Sequence, residues 1–177
     1  MKYLVASDIH GSIKFTEELE KRIIEEKPDK IILLGDLLYQ GARGILNPDY
    51  RPYDVAMILN RYKDKILCTK GNCDIPEDVE MCEFELKESI VVDIEGKKFF
   101  FTHGHIYNNS NRPEEYDALI YGHFHTGFIY TEDGKIYANP GSVSIPKNDT
   151  KNSYMIIDNN KIILKEINGT VIEETNF

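Results

Sequence analysis

Residues 3–36 read YLVASDIHGSIKFTEELEKRIIEEKPDKIILLGD, and this stretch decides the fold. It opens with an apolar run of strand length, residues 3–7, which stops at Asp8-Ile9-His10-Gly11. Ser12 then stands where a helix N-cap belongs. Phe15, Leu19 and Ile23 recur every four residues and, with Ile24, make the buried face of a helix that Pro28 closes. Residues 30–34, KIILL, form a second continuous apolar run that ends at Gly35-Asp36. Strand, helix, strand, with the strands apolar on both faces, is the crossover unit of a sheet covered by helices.

The pattern continues outward from there. Residues 39–53 carry Gly41, Gly44, Pro48 and Pro52 and read as a loop, while Val55, Ile58, Leu59 and Tyr62 set a helical spacing over 54–63. Residues 65–69 are a third strand, ending in Lys70-Gly71-Asn72-Cys73-Asp74. The second half is richer in strands. Hairpins are expected at 89–94 with 97–102 around Glu95-Gly96, at 128–130 with 136–138 around Asp133-Gly134, and at 154–158 with 161–167 around Asn159-Asn160. A helical-looking 113–116 precedes a short buried strand, 118–121, and Gly169 turns the chain into a last strand, 171–174. The sum is an α/β front and a mostly antiparallel back: two layers of sheet with helices outside.

The chain of 177 residues fits one domain, 1–177, and its 41% hydrophobic and 29% charged residues are those of a globular protein with a real core. Thirty acids against 21 Lys plus Arg leave a net charge of -9. Such a field repels DNA and anionic lipid, so no stable nucleic-acid complex and no membrane partner are expected. A phosphate-bearing substrate would need positive charge imported, for instance as metal ions. No apolar run reaches the length of a membrane span, and the start reads as a strand rather than a signal peptide. Cys68, Cys73 and Cys82 are odd in number and form no CxxC pair, so a reducing cytoplasm is the expected compartment. The absence of G-x-x-x-x-G-K-[ST] excludes a P-loop enzyme.

Five short segments carry the chemistry, each directly after an expected strand: Asp8-Ile9-His10, Gly35-Asp36, Gly71-Asn72-Cys73-Asp74, His103-Gly104-His105 and Gly122-His123-Phe124-His125. All five histidines of the chain fall in them. Sites in α/β sheets gather at the carboxyl ends of strands, so the five loops can share one crevice. Each segment alone is an ordinary turn or strand end; their joint order is the signal. Imidazole, carboxylate and an Asn carbonyl suit divalent first-row metals. They are too many for one tetrahedral ion and about right for two sharing a bridging carboxylate. Two metals ~3.5–4 Å apart clamp a phosphate and provide hydroxide at neutral pH.

In this order D-x-H, G-D, G-N-x-[DE], H-G-H and G-H-x-H resemble the calcineurin-like metallophosphoesterases, over residues 3 to about 147. Ser7-Asp8-Ile9-His10-Gly11-Ser12, Thr102-His103-Gly104-His105 and Asn139-Pro140-Gly141-Ser142-Val143-Ser144 are similar to the small, cap-less phosphodiesterase branch. The resemblance implies a four-layer α-β-β-α sandwich, two mixed sheets flanked by helices. It also implies two metal subsites: Asp8, His10, Asp36 and His125 for one ion, and Asp36, Asn72, His103 and His123 for the other. Manganese is the family expectation, with iron, nickel, cobalt or zinc able to use the same ligands. His105 is then a non-ligand neighbour that either supports a ligand or faces the substrate.

The implied activity is hydrolysis of small phosphodiesters by a hydroxide bridging the two metals, with Asn72, Cys73 and His105 as the catalytic candidates beyond metal binding. Many relatives have His where this chain has Cys73. A thiol is a weak donor with a pKa near 8–9, so the exchange favours diesters over monoesters; packing as a small buried side chain is the competing role. Arg43, Tyr39 and Tyr107 are candidate substrate contacts. The competing functions are a phosphomonoesterase, a nuclease, or a non-catalytic protein-binding scaffold resembling the retromer subunit of this fold. Such scaffolds lose metal ligands, whereas here every ligand position is filled. Exposed strands and the 39–53 loop are the surfaces expected to make a homo-oligomer.

Overall fold

The structure is a computed structural model that describes residues 1–41 and 48–177. In chain order the elements are β1 (Tyr3–Ala6), α1 (Ile13–Glu26), β2 (Lys30–Leu33), α2 (Pro52–Asn60), β3 (Ile66–Thr69), α3 (Pro76–Val79) and β4 (Leu86–Lys87). They continue with β5 (Ser89–Ile94), β6 (Lys97–Thr102), β7 (Ala118–Tyr121), β8 (Gly127–Glu132), β9 (Lys135–Pro140), β10 (Ser153–Asp158), β11 (Lys161–Glu166) and β12 (Val171–Asn176). A seven-stranded sheet runs β12-β11-β10-β1-β2-β3-β4, parallel from β1 to β4 and antiparallel beyond. A five-stranded sheet runs β5-β6-β7-β9-β8, with β6, β7 and β9 parallel. Both sheets are mixed, as the resemblance implies.

Strand alternation sorts the apolar residues into layers. Tyr3, Val5, Ile32, Met155 and Leu164 point between the sheets and meet Phe99, Phe101, Ile120 and Ala138 from the other side. Leu4, Ala6, Ile31, Leu33 and Tyr154 point outward, under Leu19, Ile23, Val55 and Leu59 of α1 and α2. On the far face Leu119, Tyr121 and Tyr137 lie beneath Tyr116. Among the described residues no helix covers that face. The irregular segment 103–117 does, with the Tyr116 hydroxyl 2.8 Å from that of Tyr137 and the Arg112 guanidinium 4.9 Å from the Tyr137 ring centre. Residues 113–116 are therefore not helical: Tyr116 docks on the sheet among Leu119, Tyr121 and Tyr137 instead.

Other local differences have equally plain causes. Ser12 caps α1, its hydroxyl accepting from the Phe15 amide at 3.4 Å and Lys27 closing it in a left-handed conformation. Ile24, however, is 60% exposed: the buried stripe of α1 is Thr16, Leu19 and Ile23, too narrow to include it. Helix α2 starts two residues earlier than its apolar spacing shows, because Pro52 serves as a first-turn residue. The Asn159-Asn160 turn does hold both residues at positive φ, 50° and 58°. No helix among the described residues is long and apolar enough to cross a membrane.

Candidate dimetal centre

The loops that leave β1, β2, β3, β6 and β7 meet at one end of the sandwich and bring together every side chain expected to ligate metal. Asp8, His10 and His125 form one cluster and Asp36, His103 and His123 a second; within each, the ligand atoms lie within 4.8 Å of one another. One oxygen of Asp36 faces both: Oδ2 is 3.7 Å from His10 Nε2 and 3.4 Å from His103 Nε2. Asn72 Oδ1 lies 3.0 Å from His103 Nε2, on the second cluster. The cleft above holds about 440 Å³ and is lined by His10, Asp36, Asn72, Cys73, His123 and His125, with Gln40, Ile145 and Lys147.

The donor set fits divalent ions, on hydrogen bonding alone. His10 Nδ1 is 2.7 Å from the Tyr39 carbonyl, His125 Nδ1 2.7 Å from the Ile145 carbonyl and His103 Nδ1 2.6 Å from the Leu34 carbonyl. A carbonyl only accepts, so each Nδ1 carries a proton, and Nε2 is the nitrogen left to hold a metal ion. The Nε2 atoms of His10 and His125 then face each other at 3.3 Å, and Asp8 Oδ1 beside them is buried without a hydrogen-bond partner. Two ring nitrogens and a carboxylate oxygen converging in a buried space form a natural seat for a cation.

The electrostatics point the same way. Burial works to raise the Asp36 carboxyl, yet the hydrogen bond and charge of His103 and the Cys73 amide hold it well below the usual carboxylate range. Burial lowers the His123 imidazole, and the neighbouring His103 adds to that.

The supporting residues were not singled out by the sequence. Asp74, quoted there only as part of its segment, is buried and accepts from the Asp36 and Leu37 amides at 2.9 Å and the Gly71 amide at 2.7 Å. It ties the loop that carries Asp36 to the loop that carries Asn72. Ser142 donates to the Asp8 carbonyl at 2.7 Å, and Asp8 Oδ2 accepts from Ser7 at 2.7 Å and the His123 amide at 2.9 Å. These ties hold a strained backbone: Asp8, His10, Asp36, His123 and His125 all have φ between 49° and 65°, a region most side chains avoid. Gly122 has a separate reason to be glycine, since a Cβ there would collide with the Ser7 hydroxyl and Asp8.

The remaining candidates separate by position. Cys73 lines the cleft, its amide 2.8 Å from Asp36 Oδ1; burial and the Asp36 charge push its thiol up to about 12, so it stays protonated. His105 is exposed, its ring centre 5.3 Å from that of His103, beside the cleft rather than in its lining. Burial and His103 lower its imidazole. Tyr39 holds His10 through its carbonyl, and Tyr107 packs on Phe100 away from the cleft. Arg43 lies outside the described residues. Lys147 was missed: nothing in its local sequence marks it, but its amide donates to the His125 carbonyl at 2.9 Å and fixes it on the rim.

A family model for the calcineurin-like phosphoesterase superfamily domain matches residues 1–161. The chain belongs to this superfamily. It is 35% identical over 175 residues to phosphodiesterase YfcE of Escherichia coli, across 97% of this chain and 95% of that one. The solved structure of that phosphoesterase superposes with a TM-score of 0.94, covering 99% of both chains at 33% identity. Vacuolar Protein Sorting 29 from Cryptosporidium parvum, 18% identical over 99% of this chain and 98% of its own, shares the fold with a TM-score of 0.69. Members of the superfamily use divalent metals, and the two clusters at the strand ends are where this calcineurin-like phosphoesterase has room for them.

Proposed function

We propose that the whole chain acts as one domain, a metal-dependent phosphodiesterase that hydrolyses small phosphodiesters in the cytoplasm. The observation that carries this reading is the pair of clusters joined by Asp36 Oδ2, with imidazole nitrogens and carboxylate oxygens converging in each. Asp8, His10, Asp36 and His125 would hold one ion, and Asp36, Asn72, His103 and His123 the other. Nitrogen and oxygen donors in this mixture suit manganese, the metal we assign. When bound, the two ions supply Lewis acidity toward a phosphoryl group and a hydroxide nucleophile at neutral pH.

The protein's own groups do the rest. Lys147, the one ammonium among the described residues lining the cleft, attracts the phosphoryl charge of a substrate approaching an acidic protein. The Asn72 amide and His105 orient the non-bridging oxygens. Cys73 keeps its proton and offers only a weak hydrogen bond, which suits a singly charged diester better than a doubly charged monoester. The similarity to a phosphodiesterase over nearly the full chain supports the same choice.

The test is paired hydrolysis of bis(p-nitrophenyl) phosphate and p-nitrophenyl phosphate after chelation and re-addition of manganese. Diester cleavage that returns with manganese, with little monoester cleavage, is expected. A preference for the monoester would overturn the diester assignment. No hydrolysis with any divalent metal would favour the protein-binding scaffold.

A further inference from the structure

Beside the dimetal cleft is a recess of about 310 Å³ that the mechanism does not use, lined by Lys70, Gly71, Leu86, Glu88, His105 and Ile106. It adjoins the metal loops directly: Gly71 precedes the ligand candidate Asn72, and His105 follows His103 by two residues. Its walls are of two kinds. Leu86 and Ile106 are apolar, and Ile106 is 38% exposed. The Lys70 and Glu88 side chains, in the same lining, have no hydrogen-bond or ion-pair partner among the described residues.

We propose that this recess is the subsite for one ester arm of the diester, and that the arm it takes is an uncharged nucleoside. This rests on the phosphodiesterase reading above. A phosphodiester at the metal clusters must send two alcohol arms away from phosphorus, and a monoester only one. The recess is where a second arm can go without leaving the protein surface. Its volume lies at the lower end of the range of small-ligand pockets, the size of a nucleoside and larger than a methyl or ethyl group requires. A flat base against Leu86 and Ile106 removes apolar surface from water, and sugar hydroxyls donate to the Glu88 carboxylate.

Charge decides against a longer nucleic-acid strand. Glu88 also lines a neighbouring, wider groove that contains Lys98, Arg112, Glu114 and Glu115. Lys98 is paired with Glu115 and Arg112 with Glu132, each at 2.5 Å, which leaves Glu88 and Glu114 as the unpaired charges there. A second phosphate in that groove would meet net negative charge, so the arm ends as a neutral group.

The experiment compares two substrates with one leaving group, adenosine 5′-(p-nitrophenyl phosphate) and methyl p-nitrophenyl phosphate, on the manganese-loaded protein. The wild type is expected to prefer the adenosine ester in kcat/KM. In Glu88→Ala that preference should fall about tenfold, or about 1.4 kcal/mol, through KM, and in Ile106→Ala about fivefold. Binding of adenosine 5′-monophosphate, followed by calorimetry, should weaken in step in both variants. Both side chains are exposed, so their loss leaves the fold intact. An unchanged preference and unchanged nucleotide binding in both variants would overturn the subsite while leaving the phosphodiesterase reading standing. Hydrolysis of neither ester by the wild type would overturn that reading, and the subsite with it.

Discussion

The Asp74 carboxylate is the place where one atom pair can be changed to test how the centre is built. Asp74→Asn keeps shape and volume but halves the acceptors. Oδ2 takes the Asp36 and Gly71 amides and Oδ1 takes the Leu37 amide, so the better orientation of an Asn side chain keeps the first two bonds and sets its NH2 against the Leu37 N–H. Stranding one buried donor costs about 1–3 kcal/mol, and the two surviving bonds lose their charge assistance. Against this, burial raises the Asp74 carboxyl above its ordinary range, so the charge itself is held at a cost that the amide removes. The lost bonds outweigh the relief, and a net loss of about 2 kcal/mol is expected. For a chain of this length that is a fall of about 6 °C in Tm. The functional effect should be larger than the stability effect suggests, because the tie sets the spacing between Asp36 and Asn72. Manganese affinity should drop about 10- to 100-fold, the usual result of removing a group that orients ligands. Thermal unfolding of the metal-free protein and calorimetric manganese titration read the two effects separately. A variant that melts within about 1 °C of the wild type and binds manganese equally well would refute the claim that this carboxylate spaces the loops.

Further consequences follow from other groups. Glu26 accepts from Lys2 at 2.5 Å, from Lys165 and from the Tyr154 hydroxyl at 3.1 Å; burial opposes its ionisation, but the lysines prevail and bring its carboxyl down to about 2. The folded state therefore prefers the ionised form: the stabilisation is complete above the ordinary carboxyl pKa and disappears as pH falls from about 4.5 to about 2. Glu26→Gln should cost about 1–2 kcal/mol at pH 7 after allowance for solvent around the lysines, and the gap in Tm should close over that acid range. Replacing Cys73 by His should raise the ratio of monoester to diester turnover about tenfold or more, since an imidazole can donate where the thiol does not; an unchanged ratio would assign Cys73 to packing. Lys147→Met should raise KM for bis(p-nitrophenyl) phosphate about tenfold, with the effect shrinking at high salt and Lys147→Arg recovering much of it.

The candidate metal residues were brought together because their position obeys a rule that sequence can express. Each of the five segments follows a strand, and strands β1, β2, β3, β6 and β7 all end on the same side of the sandwich, so order along the chain became proximity in space. Two layers of sheet were legible from the order of apolar runs and turns, but the face taken by each of Phe99, Phe100 and Phe101, or of Ala118, Leu119 and Ile120, was not, since all six are apolar. What stayed hidden depends on partners that no local pattern encodes. The two-residue β4 exists only because Cys68 and Thr69 of β3 offer it an edge, and without it Leu86 and Glu88 would not wall the recess. Lys147 is indistinguishable from any surface lysine until its amide is seen on the His125 carbonyl. The left-handed φ at five of the candidate ligands is likewise invisible in the sequence, since Asp and His do not announce it as glycine does. That strain has to be held by something, and the amides on Asp74 and the hydroxyls of Ser7 and Ser142 hold it. The chemistry at this centre was thus written in the ligands, while its geometry is set by residues whose importance only the fold reveals.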